Sequence, residues 1–246
     1  MKKMLLASAI AMTMPFTANA AANFVEGDAT WAGEAELGAT LTTGNTDTSS
    51  VKARLNINHE LGDWENQYLF EGLYKEDQEE VTAKRYFAGF QGDYKLNESS
   101  YIFAGASYEV DPFTGYDYKL AAAAGYGHKF VLSEKSTLKA EIGPGYLYQR
   151  LDDEQQAELG YKTEDSMVVH GVLNYEAAIG ESAKFKQEFI ADYGDNLIAR
   201  SETSLTANIV GALAMKFAVV VRYNDEPLDN KESTDTETNM TLLYSF

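Results

Sequence analysis

Charged side chains recur at alternate positions along most of this chain, each time opposite an apolar neighbour. Glu34 and Glu36 are the first such pair, followed by Lys52 and Arg54, then Glu65 and Glu71. Lys84, Lys119, Lys139 and Glu141 continue the series; Lys186, Glu188, Arg200, Glu202, Lys216 and Arg222 complete it, with His170 on the same face. The chemistry open to such a set is electrostatic. Cations and carboxylates occur in it in similar numbers, although the formal net charge of the chain is -18. If the face lines a lumen, two outcomes follow. The charges line a narrow path for small hydrophilic or ionic solutes, or they pair across the interior and fill it, as side chains do in small barrels.

Two other chemistries can be tested on the same residues. A Ser–His–acid device needs one histidine held between a hydroxyl and a carboxylate. Of the three histidines, His59 and His128 fall on the apolar series. His170 falls on the charged series, with Ser166 on its own strand and Asp192 on the next. That juxtaposition assigns no catalytic residue, and the chain is read as a non-enzyme. Acidic residues cluster at positions 152–165 and 225–232, but no D-x-D-x-D-G loop is present, so no metal site is assigned. No cofactor is expected.

The elements that must position the charges are strands. Trp31, Gly33, Ala35, Leu37, Ala39 and Leu41 alternate with Glu34, Glu36, Thr40 and Thr42. Val51, Ala53, Leu55 and Ile57 alternate with Lys52, Arg54, Asn56 and Asn58, and the pattern recurs about twelve times. Repeated segments of about ten residues with this period are the signature of transmembrane β-strands. The fold expected over residues 30–246 is all-β: a closed antiparallel transmembrane β-barrel of about 12 strands, in up-and-down order. Closure follows because an open sheet edge in hydrocarbon leaves backbone groups unpaired, at several kcal/mol each. Residues 31–41 should therefore pair with residues 240–246. With odd strands running up, Trp31, Trp64, Tyr94, Phe130, Tyr175 and Phe246 fall at a lower rim. Tyr74, Tyr86, Tyr108, Tyr118, Tyr148, Tyr193 and Tyr223 fall at an upper one, as interfacial aromatics do. Lower connections read as short; upper ones, including 75–80, 111–117, 150–165 and 225–235, read as longer and acidic. Gly143-Pro144-Gly145 interrupts a strand and predicts a bulge or a barrel bend.

The first residues predict export. Lys2 and Lys3 precede an apolar run over residues 4–16 and a small-x-small site at Ala18-Asn19-Ala20. These are the regions of a signal peptide over residues 1–20, too short to span a bilayer as a helix. Residues 21–29 read as a periplasmic lead-in. An acidic chain with no cysteine fits an exported protein without disulfides and argues against nucleic-acid binding. The expected location is the bacterial outer membrane. The expected partners are its lipid and lipopolysaccharide, the barrel-insertion machinery and small solutes.

The last strand ends on Leu242, Tyr244 and Phe246, resembling the C-terminal insertion signal of outer-membrane barrels. Gly44-Asn45-Thr46-Asp47-Thr48-Ser49-Ser50, Ala124-Gly125-Tyr126-Gly127-His128, Gly143-Pro144-Gly145-Tyr146, Ser204-Leu205-Thr206-Ala207-Asn208-Ile209 and Thr234-Asp235-Thr236-Glu237-Thr238 span nearly the whole mature chain. Together they resemble a bacterial family of unknown function described as salt-induced outer-membrane proteins. The resemblance implies an outer-membrane barrel and a link to salt or osmotic conditions. It implies no catalytic residues.

Overall fold

The structure is a computed structural model describing residues 30–42, 48–228 and 231–246. The expected signal peptide and lead-in, and most of the first upper connection, lie outside these residues. Twelve strands follow one another: β1 (Trp31–Thr42), β2 (Thr48–Leu61), β3 (Trp64–Asp77), β4 (Glu80–Lys95), β5 (Ser100–Asp111) and β6 (Tyr116–Ser133). The second half holds β7 (Ser136–Leu151), β8 (Thr163–Ile179), β9 (Ala183–Tyr193), β10 (Leu197–Val210), β11 (Leu213–Asn224) and β12 (Thr234–Ser245). Each pairs antiparallel with its sequence neighbours, and β1 pairs with β12 to close the barrel.

Alternation does the work of a core here. Outward positions such as Leu37, Val51, Phe70, Ile102 and Leu242 are exposed on the outer wall. Inward positions such as Phe103, Val168, Val220 and Leu243 are buried beside the inward charges. On the outer wall, aromatic rings meet across strands: Trp64 and Tyr94 lie 5.2 Å apart near the lower end. Tyr108, Tyr118 and Tyr148 form a row near the upper end, at 5.7 and 6.2 Å. Aromatics also occupy the wall between these levels, where Tyr68 and Phe90 are 5.2 Å apart.

The lower turns are short, with Gly62, Gly180 and Gly211 at positive φ. The upper ones differ from expectation in two places. Residues 75–80 form no long loop, because β3 and β4 run on to a two-residue turn at Gln78 and Glu79, both at positive φ. The acidic stretch after β7 contains a helix, α1 (Asp153–Leu159), whose N-cap Asp152 accepts from Gln155 N at 2.8 Å.

The upper mouth is roofed. Asp152 N donates to Gly115 O at 3.0 Å, tying the β5–β6 and β7–β8 connections together. A Cβ at Gly115 would lie 2.8 Å from Leu228 and 3.3 Å from Gln155 of α1. Leu228 belongs to the β11–β12 connection, on the opposite side of the ring, so these connections meet over the lumen.

Gly143-Pro144-Gly145 is not a bulge, because the β6–β7 register is the same on both sides of it, at Ala123↔Gly145 and Tyr126↔Ile142. Its glycines let two backbones touch: a Cβ on Gly125 would collide with the Ile142 carbonyl, and one on Gly143 with that of Ala124.

Candidate functional site

The inward charges of one side of the barrel form a single ion-pair lattice. Glu237 of β12 binds Lys52 of β2 at 2.9 Å, Arg85 of β4 at 3.1 Å and Arg222 of β11 at 3.3 Å. Glu71 of β3 joins Arg85 at 2.7 Å, Lys52 at 3.8 Å and Arg54 at 3.9 Å. From Arg54 the lattice crosses the lumen to Glu202 of β10 at 3.2 Å. Glu202 also binds Lys216 of β11 at 3.0 Å and Arg200, and Lys216 continues to Glu36 of β1 at 3.0 Å. Arg200, Glu188, Lys186, Glu176 and Lys184 carry the chain of contacts on through β9 to β8. Eight cations thus share six carboxylates, although the whole chain is strongly acidic. Glu36, Lys52, Arg85, Glu202, Lys216 and Glu237 are buried. Burying charges this deeply is tolerable only because each meets partners of the opposite sign.

The facing wall is made of small and apolar residues. Gly89, Gly105, Ala121 and Ala123 point inward on β4 to β6, beside Phe87, Phe103, Leu147 and Ile190. Between this wall and the lattice lies a cavity of about 330 Å³, which Arg54, Arg85, Arg200 and Arg222 all line. Lower down, Tyr101 donates to Glu141 at 2.7 Å, and Gln91 bridges Glu141 and Asp93 at 3.2 and 2.9 Å. Lys139 approaches Glu65 at 3.9 Å. Outside the spanning strands, the hydrogen bond from Tyr161 to Glu164 holds that phenol above its ordinary pKa.

Of the residues expected in the lumen, the lattice brings together Glu36, Lys52, Arg54, Glu71, Lys186, Glu188, Arg200, Glu202, Lys216 and Arg222. Glu65, Lys139 and Glu141 fall in the lower cluster. Glu34 shares the inward face of Glu36 without an ion pair among the described residues. Lys119 lies over the Tyr116 ring at 4.6 Å. Lys84 is a correction: it is exposed, 5.9 Å from the ring of Tyr86 on the outer wall. Two residues apart on a strand means the same face, so Lys84 follows Tyr86 outward while the neighbouring Arg85 enters the lattice. Arg85, Glu176 and Glu237 were missed; their parity with Phe87, Asn174 and Asn239 was the available signal.

His170 and Asp192 do meet, Nδ1 to Oδ1 at 2.7 Å, with the His170 ring 6.1 Å from Phe103. Ser166 makes no hydrogen bond to His170; the serine bonded to a histidine is Ser100, at 3.0 Å from His128. No Ser–His–acid relay is assembled among the described residues. The C-terminal Phe246 exchanges backbone hydrogen bonds with Gly33, at 2.7 and 2.9 Å, and its ring covers that glycine.

A family model described as protein of unknown function, DUF481, matches residues 35–246. The uncharacterized protein YdiY of Escherichia coli (strain K12) is 28% identical over 170 residues, which is 68% of this chain. The match spans 64% of the length of that relative. Among solved structures, the COG4313 outer membrane channel from Pseudomonas putida F1 is similar at a TM-score of 0.50 and 11% identity, covering 88% of this chain and 95% of that one. The NanC porin is similar at a TM-score of 0.53 and 8% identity, covering 87% and 98%. At these identities the likeness is one of fold.

Proposed function

The chain belongs to the DUF481 family of unknown function, and from that premise we propose that it is an outer-membrane barrel forming a narrow channel for small hydrophilic or ionic solutes. The observation that carries this reading is the 330 Å³ cavity between the charged lattice and the small-residue wall. Bulky side chains on β4 to β6 would have filled that space; alanines and glycines leave it free beside four guanidinium groups. The outward apolar wall supports the membrane location, since a continuous exposed belt of Leu, Val, Phe and Tyr needs lipid rather than water around it. Lipopolysaccharide around the upper loops and the insertion machinery acting on residues 242–246 are the partners this location brings.

A second reading is favoured by the roof at Leu228 and by the burial of the lattice: a closed barrel with a role at the cell surface. Planar-bilayer recording of refolded protein separates the two. Stepwise conductance is expected for the channel, and a trace at lipid background would leave the closed barrel. The proposed link to salt or osmotic conditions rests on family resemblance; equal growth of a deletion strain and its parent across NaCl concentrations would remove it.

A further inference from the structure

We infer that the upper half of the β1–β12 seam is a lateral portal that binds a single-chain amphiphile with an anionic, hydrogen-bond-accepting head. The seam ladder covers four positions, Glu34↔Ser245 to Leu37↔Leu242, extended below by the Gly33–Phe246 backbone hydrogen bonds, where β1 and β2 pair at twelve and β11 and β12 at eleven. Above Leu37, β1 pairs with β2 alone, and above Leu242, β12 pairs with β11 alone. Two backbone edges therefore face each other without a ladder. Such edges are costly in hydrocarbon unless something covers them.

A second cavity of about 330 Å³ sits at this gap. Its lining includes residues of both parities: Gly38, Lys52 and Asn239 point into the lumen, whereas Ala39 and Met240 point outward. The cavity lies where the β1–β12 ladder has ended, so no backbone pairing closes it off from the outer face. Three features describe its occupant. The Asn239 amide nitrogen is buried without a hydrogen-bond partner among the described residues, and so awaits an acceptor. Lys75, on the inward face, has no ion pair among the described residues. Glu76, which accepts from Tyr74 on the outer face, and Asp77 also line the cavity.

The gap is a wedge. At its base the strands touch, since a Cβ on Gly38 would lie 2.8 Å from Thr241 Cγ2 and 3.0 Å from the Met240 carbonyl oxygen. An inserted peptide strand needs about 5 Å on each side, which a wedge closed at its base does not offer; an alkyl chain fits. The head would rest on Asn239 and Lys75, with the chain passing between Ala39 and Met240 into the outer half of the bilayer.

The inference rests on the outer-membrane reading but not on axial conductance. Decanoate is titrated calorimetrically into the barrel in nanodiscs, against empty nanodiscs and against decyltrimethylammonium. Saturable binding of decanoate alone is expected, weakened at least tenfold in Asn239→Leu and in Lys75→Met. Because the chain has no cysteine, Ala39→Cys with Met240→Cys can be bridged by a short reducible crosslinker. Bridging the folded protein should abolish binding, reduction should restore it, and bilayer conductance should be the same in both states. No saturable heat with decanoate, equal binding of the cationic amphiphile, or binding untouched by the bridge would each overturn the portal.

Discussion

Glu202→Gln removes one negative charge from the centre of the lattice while keeping the side chain's size. Glu202 is 4% exposed and meets Arg54 at 3.2 Å, Lys216 at 3.0 Å and Arg200. At an effective dielectric constant of about 20, each contact is worth roughly 5 kcal/mol before desolvation is subtracted. Most of that gross attraction offsets the cost of taking the ions out of water. What remains is the cost of stranding buried cations, about 3–5 kcal/mol when one partner of a buried pair is lost. The imbalance is also worse than in an isolated pair, since eight cations would then share five carboxylates. Urea unfolding in lipid vesicles, followed by the fluorescence of Trp31 and Trp64, should show that loss with an unchanged m-value. Adding Arg54→Met should recover part of it, because Arg54 would otherwise keep only the 3.9 Å contact to Glu71. A loss below about 1 kcal/mol would refute the reasoning: the lattice would then behave as a solvated surface network, in which such pairs contribute little.

Gly125→Val and Gly143→Val should each break the contact between β6 and β7, at a cost of about 3 kcal/mol or more; the compact, heat-modifiable band on SDS gels should disappear, whereas Pro144→Ala, on the exposed outer wall, should keep it. Gly33→Leu should displace the Phe246 ring from the closing seam and lower the urea midpoint, with deletion of Phe246 having a comparable effect on yield in the membrane fraction. Arg222 is the most exposed lattice arginine, with a side chain 26% accessible and Glu237 as its one ion-pair partner among the described residues. If the barrel conducts, Arg222→Gln should lower the chloride-to-potassium permeability ratio by about sevenfold in dilute salt, since one charge about 7 Å from the path is worth roughly RT in water and acts with opposite sign on the two ions; an unchanged reversal potential would place the path elsewhere.

Alternation shows which face a residue takes, and that much could be read directly: the twelve strands and most inward charges follow from it, and the closing pair follows from the cost of an open edge in hydrocarbon. It says nothing about which strand lies across the interior. Arg54 and Glu202 are 148 residues apart, and nothing local links them. Where two basic residues are adjacent, as Lys84 and Arg85 are, the phase must be taken from a neighbour such as Tyr86. Helix α1 carried a legible signal, since Asp152 stands three residues before Gln155 and Gly160 closes the helix in a left-handed conformation. The acidity of that stretch masked it as a loop. The roof and the short seam had no signal, because both depend on how the ring curves and not on any one strand.

The lattice also dictates an order of assembly. Lys52 and Glu237 are 185 residues apart, and Lys216 and Glu36 are 180 apart, so these contacts must wait for the two ends of the chain to come together. An unclosed sheet would expose the same cations and carboxylates to water on one side and present bare edges on the other. Insertion into lipid before closure would bring those charges towards hydrocarbon with no counter-ion at hand. The interior stitching therefore acts as a lock that engages last, rewarding only a chain whose first and last ribbons have already met.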